Sequence, residues 1–187
     1  MKVTSANIFA PVIDGRNPII LELETDEGIA GLGEAALAYG SGATAVTALI
    51  KEFTERFVIG RNAFQIEAIW SSLYDHTFWA KGGGPVIFSA ISAIEQCLWD
   101  IKGRALGVPV YELLGGSFRD DVRVYGNGWS FQAKTPKEMA IAAEKAVKSG
   151  YDALKMYPLG RPIPDDPNGK FVHVDRREYD RSVRDRA

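Results

Sequence analysis

The sequence predicts an α+β domain of antiparallel sheet and helices over residues 1–116, followed by the first units of a (β/α) barrel over residues 117–187. Three observations carry this. Short runs of β-branched and aliphatic residues, separated by turn residues, fill the chain before residue 36. A long apolar stripe, Ala90, Ile91, Ile94, Leu98, Ile101 and Leu106, recurs at three- and four-residue steps, the spacing of one helix face. After Gly116 the pattern becomes strand, helix, strand, an order that argues a right-handed crossover between parallel strands.

Composition narrows the function. The chain has 187 residues, 46% of them hydrophobic and 25% charged, which suits a globular protein with a sizeable core. Its 22 basic and 24 acidic side chains leave a formal charge of -2, so there is no large positive field to recruit nucleic acid or an anionic membrane. Cys97 is the single cysteine, which excludes an intrachain disulfide; inside a helix it reads as a small buried apolar residue, and a reducing cytoplasm fits. No run approaches the roughly 20 apolar residues of a membrane span, and Asn7 and Pro11 interrupt the N-terminal segment. The expectation is a soluble cytoplasmic protein.

In order, residues 2–10, 19–25 and 29–35 read as a three-stranded antiparallel sheet, with Asp26-Glu27-Gly28 as a turn. Residues 11–18, PVIDGRNP, form a loop with Asp14 and Arg16 as its polar tips, and residues 37–44, LAYGSGAT, form a second loop that carries Tyr39 and Ser41. The first reads as a plain hairpin connection and the second as linkage or as a loop that contributes Tyr39 or Ser41 to a pocket. The stretch Gly31-Leu32-Gly33-Glu34-Ala35-Ala36 superficially fits a dinucleotide fingerprint. That motif requires a strand turning directly into a helix within a parallel βαβ unit, whereas here it follows a hairpin turn and reads as a strand.

Val46, Leu49, Ile50, Phe53 and Phe57 mark one helix ended by Gly60, and Ile66, Ile69, Trp70, Leu73 and Tyr74 mark the next. His76 has no histidine or cysteine at ligand spacing and reads as a loop residue. The triple glycine 82–84 lacks the Lys-Ser/Thr that follows a phosphate-cradling loop and reads as the lead-in to the long helix. Gly107 and Pro109 stop that helix; Val110, Tyr111, Leu113 and Leu114 add an apolar turn before Gly115-Gly116.

In the second part, residues 122–125 and 153–156 read as strands. Between them Thr135-Pro136-Lys137-Glu138 starts a helix with a capping box, and Met139, Ala142, Ala143, Ala146 and Val147 supply its apolar face. Barrel active sites lie at the C-terminal ends of the strands, which points to Asn127-Gly128-Trp129 and Lys155-Met156-Tyr157. Lys155 and Tyr157, two apart on a strand, share a face; the alternative is a structural lysine and tyrosine. Residues 157–174 are rich in proline and longer than the roughly 2 to 6 residues usual between a strand and its helix. Leaving a strand end, this loop is expected to border the site, with Arg161 and His173 reaching a ligand, or else to be a plain surface loop. A further helix is expected from Asp175, with Tyr179 and Val183 its apolar positions.

The run S-A-I-x-x-I-E-x-x-L-W-D-I-K-G-R-x-L-G-V-P-V-Y-E-L-L-G-G over residues 89–116 resembles the cap-to-barrel junction of the enolase superfamily, in its mandelate racemase and muconate-lactonising branch, and within that the acid-sugar (galactonate-type) dehydratases. The resemblance implies a capping domain over a barrel and magnesium-assisted removal of a proton beside a carboxylate. The expected partners are a small-molecule carboxylate or sugar-acid substrate and, in a homo-oligomer, further copies of the chain. It also implies that the cap loops close over the barrel mouth, which would bring Asp14, Arg16 and Tyr39 to the substrate alongside Asn127, Trp129, Arg161 and His173.

The racemase pattern at the second strand is Lys-x-Lys, with the second lysine as base; this chain departs from it with Tyr157. Two neighbouring ammonium groups pull each other toward neutrality, and one alone does not, so Lys155 is expected to act as a fixed cation for the carboxylate and the enolate-like charge. A tyrosine hydroxyl, with a reference pKa of about 10, is a proton donor suited to a departing hydroxyl. The family holds magnesium on acidic residues of its third to fifth barrel strands. Asp165 and Asp166 lack an oxygen-ligand pattern, so no metal ligand is assigned in this chain. A barrel needs about 250 residues, so the magnesium ligands are expected beyond Ala187 in a longer parent enzyme. The expected reaction is dehydration of a sugar acid. A racemase or cycloisomerase of the same superfamily is the alternative, as is a non-catalytic cap or interaction module.

Overall fold

Three strands, β1 (Val3–Phe9), β2 (Ile19–Thr25) and β3 (Ala30–Ala35), pair antiparallel in the order β1-β2-β3 in the computed structural model, which describes residues 1–13, 16–38, 42–133 and 135–156. The two-residue period of a strand sorts the faces of β2: Ile19, Leu21 and Leu23 are fully buried, while Glu22 and Glu24 point the other way. The turn between β2 and β3 uses Gly28 at φ +76°, a left-handed conformation that glycine adopts without a Cβ penalty.

The expected helices follow as α1 (Ala43–Phe53), α2 (Ile66–Asp75), α3 (Pro85–Leu106) and a single turn, α4 (Val110–Leu113). The first helix continues past Phe53 as a π-helical turn over Thr54–Val58. There the buried Thr54 hydroxyl donates to the Ile50 carbonyl at 2.9 Å. Gly60, at φ +82°, ends the segment, and its N–H bonds Val3 O at 2.8 Å, which ties the helix to the sheet.

Helix α3 lies on β3, and its stripe of Ala90, Ile91, Ile94, Leu98 and Ile101 is buried with β2, α1 and α2 in one core. Leu106, expected on the same stripe, is instead 53% exposed, and none of α4 is buried. Length accounts for both: 22 helical residues span roughly 33 Å, against about 23 Å for a seven-residue strand, so the last turn overruns the sheet. Gly107, at φ +69°, closes α3: its own N–H reaches Arg104 O and that of Val108 reaches Gly103 O, the paired bonds of a Schellman cap.

Residues Met1–Ser117 make up one unit of the chain, and a second begins at Phe118. In the second unit α5 (Pro136–Lys148) carries the expected capping box: Glu138 N–H donates to Thr135 Oγ1 at 3.2 Å, and Thr135 N–H to Glu138 Oε2 at 3.2 Å. Thr135→Ala is expected to cost about 1 kcal/mol of local stability. Faster amide exchange confined to the first turn of α5 would register that loss.

Two expectations about this unit are corrected. The strands expected over 122–125 and 153–156 are reduced to one isolated parallel bridge, Gly126 with Leu154. A strand exists by its ladder, and among the described residues no backbone ladder forms along 122–125, whose Val122 and Val124 are exposed. Val147, expected on the apolar face of α5, is also exposed, while Ala146 is buried. Among the described residues no helix is long and apolar enough to cross a membrane.

Candidate active site

The parallel bridge organises the expected site residues of the second unit. Gly126 N–H donates to Ala153 O at 2.8 Å, and Lys155 N–H donates to Gly126 O at 2.9 Å, which seats residues 126–129 beside 153–155. A side chain at 126 would press on Leu154 and Tyr151 at 3.1 to 3.4 Å, so glycine permits the approach. Beyond the bridge, Gly128 at φ +80° turns the chain and its N–H donates to Asn127 Oδ1 at 3.0 Å. The turn presents the half-buried Trp129, whose Nε1–H donates to Lys155 O at 2.8 Å.

Asn127, Trp129 and Lys155, expected from two separate segments, therefore meet at one end of a parallel pair, with the Asn127 and Lys155 side chains exposed. Sequence reasoning missed Gly126, which makes both bridging bonds; the glycine directly before Asn127 was the available signal.

Arg16 belongs to the first unit. Its backbone and that of Ile13 exchange two bonds of 2.9 Å each across the tip of the first loop, and its side chain is exposed. Asn17 N–H reaches Ala38 O at 2.7 Å, so the bases of the two loops are tied together. Beside that tie, Leu37 holds φ +72°, a strained value for a leucine. Ile8, Asn17, Thr44, Thr47 and Lys51 line an open groove of about 500 Å³ on this unit. Asp14, Tyr39, Tyr157, Arg161 and His173 lie outside the described residues, as do the loop and helix expected after Lys155-Met156.

The described residues do not fit a magnesium ion, since among them no three histidine, cysteine, aspartate or glutamate side chains converge. Cys97 offers no nucleophile. Burial pushes its thiol up to about 12, and Sγ donates to Leu21 O at 3.3 Å. An acid whose pKa rises on folding holds its proton in the native state while the unfolded chain loses its own. The stability from this neutral thiol is therefore intact below about pH 9 and is lost as pH rises from there toward 12. Cys97→Ala is expected to flatten that alkaline limb in a series of denaturant melts, on top of a pH-independent loss from the emptied core position. A limb as steep as in the parent chain would discount the thiol. His76 sits at the C-terminus of α2 with its N–H on Ser72 O.

A three-stranded antiparallel sheet covered by one long helix is the architecture of a capping domain. Residues 12–115 match the N-terminal domain of mandelate racemase / muconate lactonizing enzyme, and the chain belongs to that family. It is 41% identical over 155 residues to a D-mannonate dehydratase of Rhizorhabdus wittichii, an alignment covering 83% of this chain and 37% of that protein. It superposes with a TM-score of 0.82 and 36% identity on an enolase-superfamily member from Salmonella Typhimurium, over 98% of this chain and 51% of the other. An enolase from Pantoea ananatis with bound D-gluconate and Mg matches with a TM-score of 0.70 and 33% identity over 82% of this chain and 35% of the other. The chain thus spans about 37% of the length of the curated relative it matches.

Proposed function

We propose that the whole protein is a sugar-acid dehydratase, with residues 1–116 as its cap and 117–187 opening its barrel. The observation that supports this reading is the hydrogen bond from Trp129 Nε1–H to the Lys155 carbonyl beside the parallel bridge, because barrel enzymes carry out their chemistry at the C-terminal ends of parallel strands.

In this reading a general base from outside the described residues accepts the α-proton of an aldonic acid, and the electron pair of the broken C–H bond passes into the carboxylate. The enediolate so formed is held by the Lys155 ammonium. Collapse of the enediolate breaks the β carbon–oxygen bond as a proton reaches the departing hydroxyl, with Tyr157 as the proposed donor. Water leaves, and the resulting enol becomes a 2-keto-3-deoxy acid. The Trp129 N–H, bonded to the Lys155 carbonyl, holds the segment that carries the ammonium. Magnesium, present in the Pantoea protein, belongs to the proposal for the whole enzyme with ligands outside the described residues, and no step above depends on it. Asp14, Arg16, Tyr39, Asn127, Arg161 and His173 are proposed to contact the sugar. The cytoplasm is the proposed compartment, where a lone cysteine stays reduced.

Incubating the full-length protein with D-mannonate, D-galactonate and D-gluconate tests this. A 2-keto-3-deoxy product from at least one acid is expected. Exchange of the α-proton with solvent and no loss of water would replace the proposal with a racemase.

A further inference from the structure

Among the described residues strand β3 is an edge strand, with β2 as its strand neighbour. An open edge presents unpaired N–H and C=O groups that template association with another chain. On this edge the groups are taken by a helix. Leu32 N–H donates to Asp100 Oδ2 at 2.9 Å, and Glu34 N–H donates to Gln96 Oε1 at 3.0 Å. Gln96 Nε2 donates in turn to Glu34 O at 3.1 Å. A primary amide carries the same donor and acceptor as a peptide unit, so Gln96 pairs with Glu34 as a residue of a fourth strand would.

The match has a geometric basis. Four helical residues rise about 6.0 Å and two strand residues about 6.7 Å, so positions 96 and 100 on α3 face positions 34 and 32 on β3 with a mismatch under roughly 1 Å. Gly31 and Gly33 let the two backbones come close enough, because a Cβ at either would fall within 3 Å of α3 backbone atoms. Each surrogate is braced from one turn away: Gln96 Nε2 also donates to Ser92 Oγ at 3.0 Å, and Arg104 Nε donates to Asp100 Oδ2 at 3.0 Å.

We propose that Ser92, Gln96, Asp100 and Arg104 form an edge guard, a side-chain surrogate strand that keeps β3 from pairing with the β3 edge of a second copy of this chain. Two β3 edges brought together antiparallel are self-complementary, and Leu32, 49% exposed beside the edge, would add apolar contact. The second copy is therefore the occupant expected once the guard is removed.

Light scattering on the full chain tests this with the double variant Gln96→Ala/Asp100→Ala, which is expected to form assemblies larger than the parent chain's, increasing with concentration. Adding Leu32→Pro removes the freed N–H and disfavours edge pairing, and is expected to restore the parent size. A general loss of folding would not be reversed in this way. Assemblies that persist with Leu32→Pro, or a double variant of unchanged size, would overturn the proposal. Should the double variant not fold, the single change Gln96→Met decides by amide exchange. Exchange at Glu34 roughly five- to tenfold faster, with Leu21 and Leu23 unchanged, supports the guard, and unaltered exchange at Glu34 refutes it.

Discussion

Gly33→Ala is expected to lower the stability of the Met1–Ser117 unit by about 4 kcal/mol or more, enough to unfold many domains of this size. The added methyl would lie within 3 Å of the Ala93 carbonyl oxygen and close to Cys97 Sγ. The obstacle is the backbone of α3, which no rotamer change can move aside. Separating α3 from β3 to make room would stretch the bonds at Leu32 and Glu34 and open the packing of Ile94, Leu98 and Ile101 on the sheet.

Gly28→Ala is the control. Gly28 is at φ +76° with nothing within 4 Å of the added atom, so only the left-handed backbone is penalised, at about 1 to 2 kcal/mol. Chemical denaturation followed by far-UV circular dichroism separates the two. Equal losses would mean that the close approach of β3 to α3 is not what Gly33 serves.

Lys155→Met is expected to lower kcat/KM on the accepted sugar acid by about 10² to 10³, the loss seen when one charge-stabilising donor leaves an active site. The thermal midpoint should stay within a few degrees, because the side chain is exposed and the substitution keeps the backbone bonds to Gly126 and Trp129. Lys155→Arg retains a cation but spreads it over a planar fork, so partial recovery is the expected outcome. A Lys155→Met enzyme within threefold of the parent in kcat/KM would remove Lys155 from the chemistry. In that event Trp129 and the parallel bridge would be read as structural.

What could be read locally was read well. The alternation in IILELET and the 3.6-residue stripe through Ile91, Ile94, Leu98 and Ile101 define β2 and α3, because strand and helix periodicity are encoded within a few residues. The Thr135–Glu138 capping box is likewise local and is present as expected. The long motif over residues 89–116 resembles a family to which the chain indeed belongs. Expectations that assumed a distant partner fared worse: Leu106 and Val147 have apolar spacing but no covering surface, and residues 122–125 have strand composition but no ladder.

The sequence by itself determined the family and the order of the three strands and the α-helices in the first unit. Only the tertiary structure decided why β3 contains Gly-Leu-Gly: the two glycines admit α3 to the strand, and a leucine between two glycines alone does not say against what it packs. It alone decided that Gln96 and Asp100, which on the page are two polar positions of a helix, complete a sheet edge 62 and 68 residues away. Trp129 reaches the Lys155 carbonyl across 26 residues for the same reason. Hydrogen-bond partners that far apart in the chain are set by where whole elements pack, and no periodicity within a segment carries that information.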